Sequence, residues 1–297
     1  MRVRVSPSAF YFPLMRLKSM EQMIAEQYAD LQKTARQLAE KYQHNQPFPN
    51  IYIDHFFDAD FLSQVLAEFP DMESVENKIH YTNPNENKLA SRGQGQLGPK
   101  TRELVNFLNS LEFLNFLQTL TGIKETLVAD PDLEGGGYHE IKSGGFLKIH
   151  VDFHMHMRTK LSRRLNLLIY LNKDWEESYG GHFELWEKDM SARALKILPV
   201  FNRMALFSTT GDSWHGHPDP LNCPPNRSRK SLALYYYSDG RPESELSEKE
   251  RNRITTTFQA RPQANDSSMN RYNNFVNLMN RVLPKPLISL IKKFRNK

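Results

Sequence analysis

Apolar residues recur at steps of three and four residues in three stretches of the N-terminal half. The longest stretch is residues 19–42, and shorter ones follow at 59–69 and 101–120. This spacing places the apolar side chains on one face of a helix, so we predict three helices there. Residues 51–53 are typical of a short strand. Residues 71–100 are rich in Asn, Gly and charge without a period, which predicts a long loop and a candidate substrate lid.

The pattern changes from about Gly135 to Ser238, where short apolar runs alternate with Gly, Pro, Asn and Asp. Many short runs at such spacing are typical of an antiparallel sandwich or barrel. The predicted strands cover residues 145–150, 164–171, 182–186, 195–200, 203–208 and 231–237. Helical spacing returns at 272–294, where Pro284 and Pro286 interrupt it. The predicted fold class is therefore mainly β with flanking helices.

These patterns divide the chain into three parts. We predict a leader and N-terminal helix over residues 1–45, one domain over residues 46–262 and a helical tail over residues 263–297. The densest strand pattern, and so the expected core of the domain, lies within residues 135–240. A chain of 297 residues has ample length to bury such a core.

The positive charge is concentrated at the two ends of the chain. Seven basic residues and no acid lie in 267–297, and four basic residues and no acid lie in 1–18. Since the net charge is +5, residues 19–266 carry a net charge of −6. A nucleic-acid-binding protein carries its basic residues on a folded face, so we expect no nucleic-acid partner. The basic tail leaves weak contact with an anionic partner or membrane surface as an alternative.

The apolar runs and the cysteine content bear on the compartment. No run reaches the roughly 18 apolar residues that a transmembrane helix needs, so we expect no membrane span. The single cysteine, Cys223, has no second cysteine with which to form an internal disulfide, and no secretory signal precedes it. We therefore expect a cytoplasmic protein.

The segment with the clearest chemistry is GGFLKIHVDFHMH. His150 and Asp152 are two residues apart in a predicted strand, so their side chains share a face. An imidazole and a carboxylate so placed supply two of the three ligands in a two-His, one-carboxylate triad, the arrangement of non-haem Fe(II) sites with open positions. His215 is the favoured third ligand. His217 is its rival, but the prolines that follow it predict a loop leaving the site.

Other basic and imidazole groups near this segment have simpler interpretations. His154 and His156 keep the parity of His150, and we expect them at the mouth of a pocket or exposed beyond the strand. Arg163 and Arg164 are expected to be solvated charges, with attraction of an anionic substrate as the alternative.

A second candidate site lies in the segment RKSLALYYYS. Arg229 and Ser231 share one strand face under a very apolar continuation. A guanidinium there can hold a carboxylate through two hydrogen bonds, and the hydroxyl can add a third. Lys230 points to the opposite face, and Arg227 belongs to a loop rich in Pro, Asn and Ser, so Arg229 is preferred over both. A dicarboxylate ligand would supply the partner that a buried arginine needs.

Taken in order, these motifs resemble a known family. The chain shows PFPNIYIDHFF from Pro47, then HxD, a strand ending YLN, GGHFELW, a lone His, and RxS before an aromatic strand. This order resembles the prolyl 4-hydroxylase-like branch of the 2-oxoglutarate and Fe(II)-dependent oxygenases, over residues 46–240. The resemblance implies a double-stranded β-helix, a jelly-roll like that of cupins. It also implies Fe(II) as cofactor, 2-oxoglutarate and O2 as co-substrates, and ascorbate as a candidate additional cofactor.

The resemblance also implies roles for individual residues. His150, Asp152 and His215 would be the iron ligands, and Arg229 would bind the distal carboxylate of 2-oxoglutarate. Assistance would come from Tyr170 of the YLN strand and from Ser231, while Asn166 would lie near the other end of the co-substrate. Many relatives have a Tyr nine or ten residues before the HxD histidine, where this chain has Ile141 and Glu140.

The function implied is a dioxygenase that hydroxylates a C–H bond and releases succinate and CO2. Peptidyl or free proline is the first substrate hypothesis, because the branch includes prolyl hydroxylases. A cupin-like metal hydrolase is an alternative, and it would need no dicarboxylate anchor. A non-catalytic β-helix that acts as a binding module is a third hypothesis, although the complete set of ligands argues against it.

Overall fold

The computed structural model describes residues 23–262, 264 and 266–282. The predicted leader and residues 283–297 of the predicted tail, including Pro284 and Pro286, lie outside these residues. Within the described part, no helix has the length and apolar character required to cross a membrane.

Four helices precede most of the sheet, and two follow it. They are α1 Leu31–His44, α2 Ala59–Ala67, α3 Pro99–Leu108, α4 Leu111–Thr121, α5 Glu248–Arg251 and α6 Ser267–Val282. The prediction of one helix from residue 19 was wrong for the described residues 23–30. Ile24 pairs in extended conformation with Phe57, Glu26–Tyr28 form one 3-10 turn, and the side chain of Asp30 accepts a hydrogen bond from Lys33 N, which caps α1. Met23 and Ile24 are thus buried without being helical.

The strands form one antiparallel sheet, as the alternation of short apolar runs predicts. They are β1 Asn50–Asp54, β2 Ile79–Asn83, β3 Glu86–Ala90, β4 Val128–Ala129, β5 Gly137–Lys142, β6 Phe146–Val151, β7 Ser162–Tyr170, β8 Phe183–Trp186, β9 Arg193–Ile197, β10 Arg203–Ser208, β11 His215–His217, β12 Ser228–Ser238 and β13 Thr257–Phe258. The strand order is β1-β10-β7-β12-β5-β3-β6-β11-β8-β9, and the sheet curls into a half-barrel. β2 pairs with β3, β4 with β12, and β13 with β6.

The predicted loop over residues 71–100 contains a β-hairpin instead. β2 and β3 pair with each other, and β3 also pairs with β5 and with β6. Strand β3 of the hairpin therefore lies between β5 and β6 in the sheet. Its strands are short and largely polar, which explains why hydrophobic periodicity does not reveal them.

The main hydrophobic core lies between the helices and the outer face of the half-barrel. Apolar side chains from α1 to α4 pack there against alternate residues of β7, β10 and β12, such as Leu167, Leu206 and Leu234. The inner face carries a smaller cluster that includes Phe183 and Phe207. One face of the sheet is thus devoted to packing, and the other is free to line a cavity.

Candidate active site

The end of β6 and the start of β11 bring three predicted metal ligands together. The antiparallel register pairs His215 with His150, and Asp152 follows directly after β6. His150 Nε2 lies 3.6 Å from Asp152 Oδ1, and His215 Nε2 lies 3.3 Å from Asp152 Oδ2. One ligand atom from each residue lies within 4.8 Å of the other two, and all three residues are buried. His217 pairs instead with Leu147, further along β6.

Backbone carbonyl groups orient both imidazole rings. His150 Nδ1 lies 2.9 Å from Lys148 O, and His215 Nδ1 lies 2.8 Å from Ser213 O. A carbonyl oxygen only accepts, so each Nδ1 carries the proton and donates. Each Nε2 then presents a lone pair to the cluster, as a metal ligand must. Burial also lowers the pKa of His215, which favours the neutral form that binds a metal.

The carboxylate of Asp152 is held by two neighbours from β7. Arg163 Nη2 lies 3.2 Å from Asp152 Oδ2, and Asn166 Nδ2 donates to the same oxygen at 2.6 Å. Arg163 Nε in turn donates to Asn166 Oδ1, which closes a ring of contacts. Burial raises the pKa of Asp152, but attraction by Arg163 and the two histidines outweighs it and holds that pKa well below its usual range.

Arg163 is not the solvated charge that the sequence suggests. Its side chain is 2% exposed, and its guanidinium lies 3.4 Å from the ring centroid of Tyr235 and 4.6 Å from that of Phe153. These aromatic contacts stabilise the buried cation in addition to its ion pair. Arg164 is also buried, in ion pairs with Glu125 and Glu245.

The donor set of His150, Asp152 and His215 fits a divalent transition metal. Two neutral imidazoles and one ionised carboxylate that converge from one side leave the remaining coordination positions toward the cavity. The carbonyl groups and the Arg163–Asn166 pair supply the outer contacts that metal ligands in proteins generally have.

At the other end of the same cavity lies Arg229, which is 3% exposed. Its Nε donates to Gly181 O at 2.8 Å, and its Nη2 lies 3.4 Å from Tyr170 Oη. Among the described residues, no carboxylate forms an ion pair with this guanidinium. Burial accordingly lowers the pKa of Arg229. Ser231 of β12 pairs with Tyr170 of β7 and lines the same cavity as Arg229.

The cavity is also lined by residues that sequence reasoning missed. These residues are Lys88, His139 and Tyr235. Ile141, which stands where many relatives have a Tyr, lines the cavity as well. Lys88 is on the hairpin that was expected to be a loop, and it lies on the face opposite the buried Leu89. The two hairpin strands are too short and too polar for hydrophobic periodicity to reveal them, so the sequence carries no signal that would have found Lys88.

His154 and His156 are neither exposed nor among the cavity-lining residues. His154 Nε2 accepts a hydrogen bond from Arg253 at 2.6 Å, and His156 Nε2 lies 2.9 Å from Glu134. Burial, then Arg253, lower the pKa of His154 to about 3, so it stays neutral. The expectation of exposure was wrong because later segments of the chain cover this part of the molecule.

The segment that contains Arg253 and β13 packs against the ligand strand. Arg253 donates to Asp152 O at 3.2 Å, and β13 pairs Phe258 with His150. The ring of Phe258 lies 5.4 Å from that of His150. Contacts from beyond the dense core therefore help to fix the position of the candidate ligands.

Comparisons with known proteins agree with this geometry. Residues 136–237 match the family model of the 2OG-Fe(II) oxygenase superfamily, whose enzymes use Fe(II) and 2-oxoglutarate. A search of curated proteins finds no match.

Two solved structures show the same fold. A prolyl-4-hydroxylase from Pseudomonas putida is similar at 16% identity and a TM-score of 0.50, over 70% of this chain and 100% of that one. A prolyl hydroxylase from Trichoplax adhaerens, solved with a peptide fragment of the oxygen degradation domain of hypoxia inducible factor, is similar at 18% identity and a TM-score of 0.53. That likeness covers 76% of this chain and 94% of the other.

These likenesses confirm the predicted jelly-roll core, and the match of residues 136–237 to the family model bears out the predicted class of enzyme. The matched segment contains all seven residues that the sequence singled out for a metal and a dicarboxylate: His150, Asp152, Asn166, Tyr170, His215, Arg229 and Ser231. Within the chain, the segment 136–237 is thus similar to the 2OG-Fe(II) oxygenase superfamily.

Proposed function

We propose that the chain is a dioxygenase that hydroxylates a C–H bond at the expense of 2-oxoglutarate and O2. One observation supports this most directly. A single cavity has a two-histidine, one-carboxylate cluster at one end and, at the other, a buried arginine with no carboxylate partner among the described residues. A metal fits the first end, and a carboxylate fits the second. 2-Oxoglutarate carries a metal-binding oxo acid and a distal carboxylate, so one molecule of it meets both requirements.

The electrons and oxygen atoms of this reaction balance. O2 accepts four electrons, two from the C–H bond and two from the oxidative decarboxylation of 2-oxoglutarate. One oxygen atom enters the new hydroxyl group, and the other enters succinate, with CO2 as the remaining product. Bound Fe(II) supplies the activation of O2, which no side chain can provide.

The roles of the protein side chains follow from their surroundings. The ligands of Fe(II) would be the neutral imidazoles of His150 and His215 and the ionised carboxylate of Asp152. That carboxylate is kept ionised and oriented by Arg163 and Asn166. Arg229 binds the distal carboxylate, and Tyr170 and Ser231 add hydrogen bonds to it. Asn166 also lines the cavity near the metal end of the co-substrate. The apolar walls, which include Leu168, Phe183 and Phe207, exclude water from the reacting groups.

Peptidyl or free proline is the substrate class we propose first. Its support is the similarity in fold to two prolyl hydroxylases. The hairpin of β2 and β3 replaces the predicted lid loop, and its place over the gap between β5 and β6 puts it beside the cavity.

An anaerobic absorption titration tests the proposal before any substrate is known. We expect a weak visible charge-transfer band that requires both Fe(II) and 2-oxoglutarate. The band should disappear in Arg229→Ala and persist in Lys230→Ala, which removes a cation from the opposite face of the same strand. Binding of Fe(II) without any response to 2-oxoglutarate would favour a metal hydrolase instead.

A turnover assay then tests the metal ligands. Asp152→Ala should abolish the release of succinate from 2-oxoglutarate, because it removes the only carboxylate of the cluster. Unchanged succinate release in this variant would contradict the ligand assignment.

A further inference from the structure

The register of five strands brings a second group of nitrogen-bearing side chains to the distal end of the cavity. β12 pairs Arg229 with Ile141 of β5, and β6 pairs Leu147 with His217 of β11. Lys88 of β3 lies near the first pair, since its neighbour Leu89 pairs with Glu140. All of these side chains except Leu89 and Glu140 line the same cavity. His217 is therefore on the wall that faces the co-substrate end rather than at the metal cluster.

The imidazole of His217 lacks the hydrogen bond that a buried nitrogen needs. The residue is 4% exposed, and its Nδ1 has no hydrogen-bond partner among the described residues. A buried polar nitrogen without a partner is costly and uncommon in native proteins. A hydrogen-bond acceptor bound in the cavity would supply the missing partner.

The charges at this end leave room for one anionic group. Lys88 Nζ forms an ion pair with Glu86 at 3.3 Å, whereas Arg229 contacts only the neutral groups of Gly181 and Tyr170. The side chains at this end therefore carry one uncompensated positive charge within the described part of the chain. A single carboxylate neutralises it and offers acceptors both to Arg229 and to a second donor.

We propose that His217 is a second donor to the distal carboxylate of 2-oxoglutarate, beside Arg229. This inference rests on the proposed function and adds a positioning residue that the motif resemblance does not include. The imidazole N–H of His217 donates to one carboxylate oxygen, and the Arg229 guanidinium donates to the carboxylate from β12. The carboxylate thereby gives the buried imidazole of His217 a hydrogen-bond acceptor, which the side chains of the neighbouring lining residues Leu147 and Gly216 do not provide.

Two probes separate this role from a structural one. 2-Oxoglutarate has the distal carboxylate, and 2-oxobutyrate has the same oxo-acid end without it. In the Fe(II)-loaded protein under anaerobic conditions, His217→Phe should weaken 2-oxoglutarate binding by about tenfold or more, the usual effect of losing a hydrogen bond to a charged group. The affinity for 2-oxobutyrate and for Fe(II) should not change.

Conservative variants sharpen the test. His217→Asn and His217→Gln place an amide nitrogen near the positions of Nδ1 and Nε2 respectively, and whichever restores 2-oxoglutarate affinity identifies the donor. His80→Gln, an exposed histidine of β2, serves as the control and should match the unmodified protein. Equal weakening of both probes in His217→Phe would assign His217 a structural role, and an unchanged affinity for 2-oxoglutarate would also overturn the proposal. If the unmodified protein binds Fe(II) but neither probe, the proposed function itself fails.

Discussion

One buried arginine, Arg163, lies behind the candidate metal cluster, and another, Arg229, lines the distal end of the cavity; the two differ in what they contact. At the metal end, Arg163 contacts the Asp152 carboxylate, the Asn166 amide and the ring of Tyr235. At the distal end, Arg229 contacts a backbone carbonyl and a tyrosine hydroxyl. Burial is nearly the same for both. The folded protein therefore provides Arg163 with a carboxylate partner, whereas the described residues provide Arg229 with neutral partners only.

This difference shows which parts of the site depend on folding and which depend on binding. The ion pair of Arg163 compensates its own desolvation and also keeps Asp152 ionised. Arg229 keeps its charge without such compensation, so its burial lowers stability in the absence of a ligand. In the proposed function, binding of a carboxylate would recover that energy and would make the distal end selective for an anion.

The largest expected effect comes from removing each arginine in turn. Arg163→Met leaves the Asp152 carboxylate buried without its cation and should lower the free energy of unfolding of the metal-free protein by about 3–5 kcal/mol. Arg229→Met removes an uncompensated charge and should leave that free energy unchanged or raise it. Urea denaturation measures both. Equal destabilisation by the two variants would contradict the comparison.

A smaller effect should follow from changing the amide that supports the metal end. Asn166→Leu removes the 2.6 Å hydrogen bond to Asp152 Oδ2 without removing any proposed ligand. Losing such an outer contact commonly costs 10- to 100-fold in metal affinity, so we expect a loss of that size in an Fe(II) titration. The affinity for 2-oxoglutarate, measured at saturating Fe(II), should change little. A loss confined to 2-oxoglutarate would place Asn166 with the co-substrate instead.

The smallest effect concerns pH and the buried His154. Its pKa is about 3 in the folded protein and near 6.5 when unfolded, so between these values the unfolded chain binds the extra proton. Stability is therefore lost as pH falls below about 6.5, by up to about 1.4 kcal/mol per pH unit from this residue.

Thermal unfolding of the metal-free protein between pH 5 and pH 7 measures this dependence. His154→Gln keeps an acceptor for Arg253 and should show a shallower decline, whereas His80→Gln should decline like the unmodified chain. A decline that is identical in both variants would assign the acid sensitivity to other groups.

The sequence allowed most of the β core and the candidate ligand cluster to be predicted. Strand alternation placed His150 and Asp152 on one face, and the observed strands β7, β8, β10 and β12 overlap the predicted ones closely. The individual roles of the proposed ligands remain predictions, although the fold brings them together. These features are predictable because each depends on local periodicity within a few residues of the motif.

The features that were not predicted depend on contacts between distant segments. The polar hairpin acquires its structure by pairing with β5 and β6, and nothing in its own composition indicates that. Arg163 lies near the start of β7, a strand of mixed polarity, and only the fold shows that Asp152 and two aromatic rings surround it. His217 appeared in the sequence only as a rival of His215, because the register of β11 against β6 was unknown.

The outer edge of β6 has a consequence for how the protein is made. Its first half pairs with β3 and its second half with β13, a strand more than 100 residues later in the chain. During synthesis on the ribosome, β6 therefore emerges long before the partner of its ligand-bearing half, and that edge stays open to other chains in the interval. The segment 136–237, produced alone, lacks both edge partners. The segment that supplies all the strands around the candidate metal cluster is therefore longer than the segment 136–237 that matches the superfamily model.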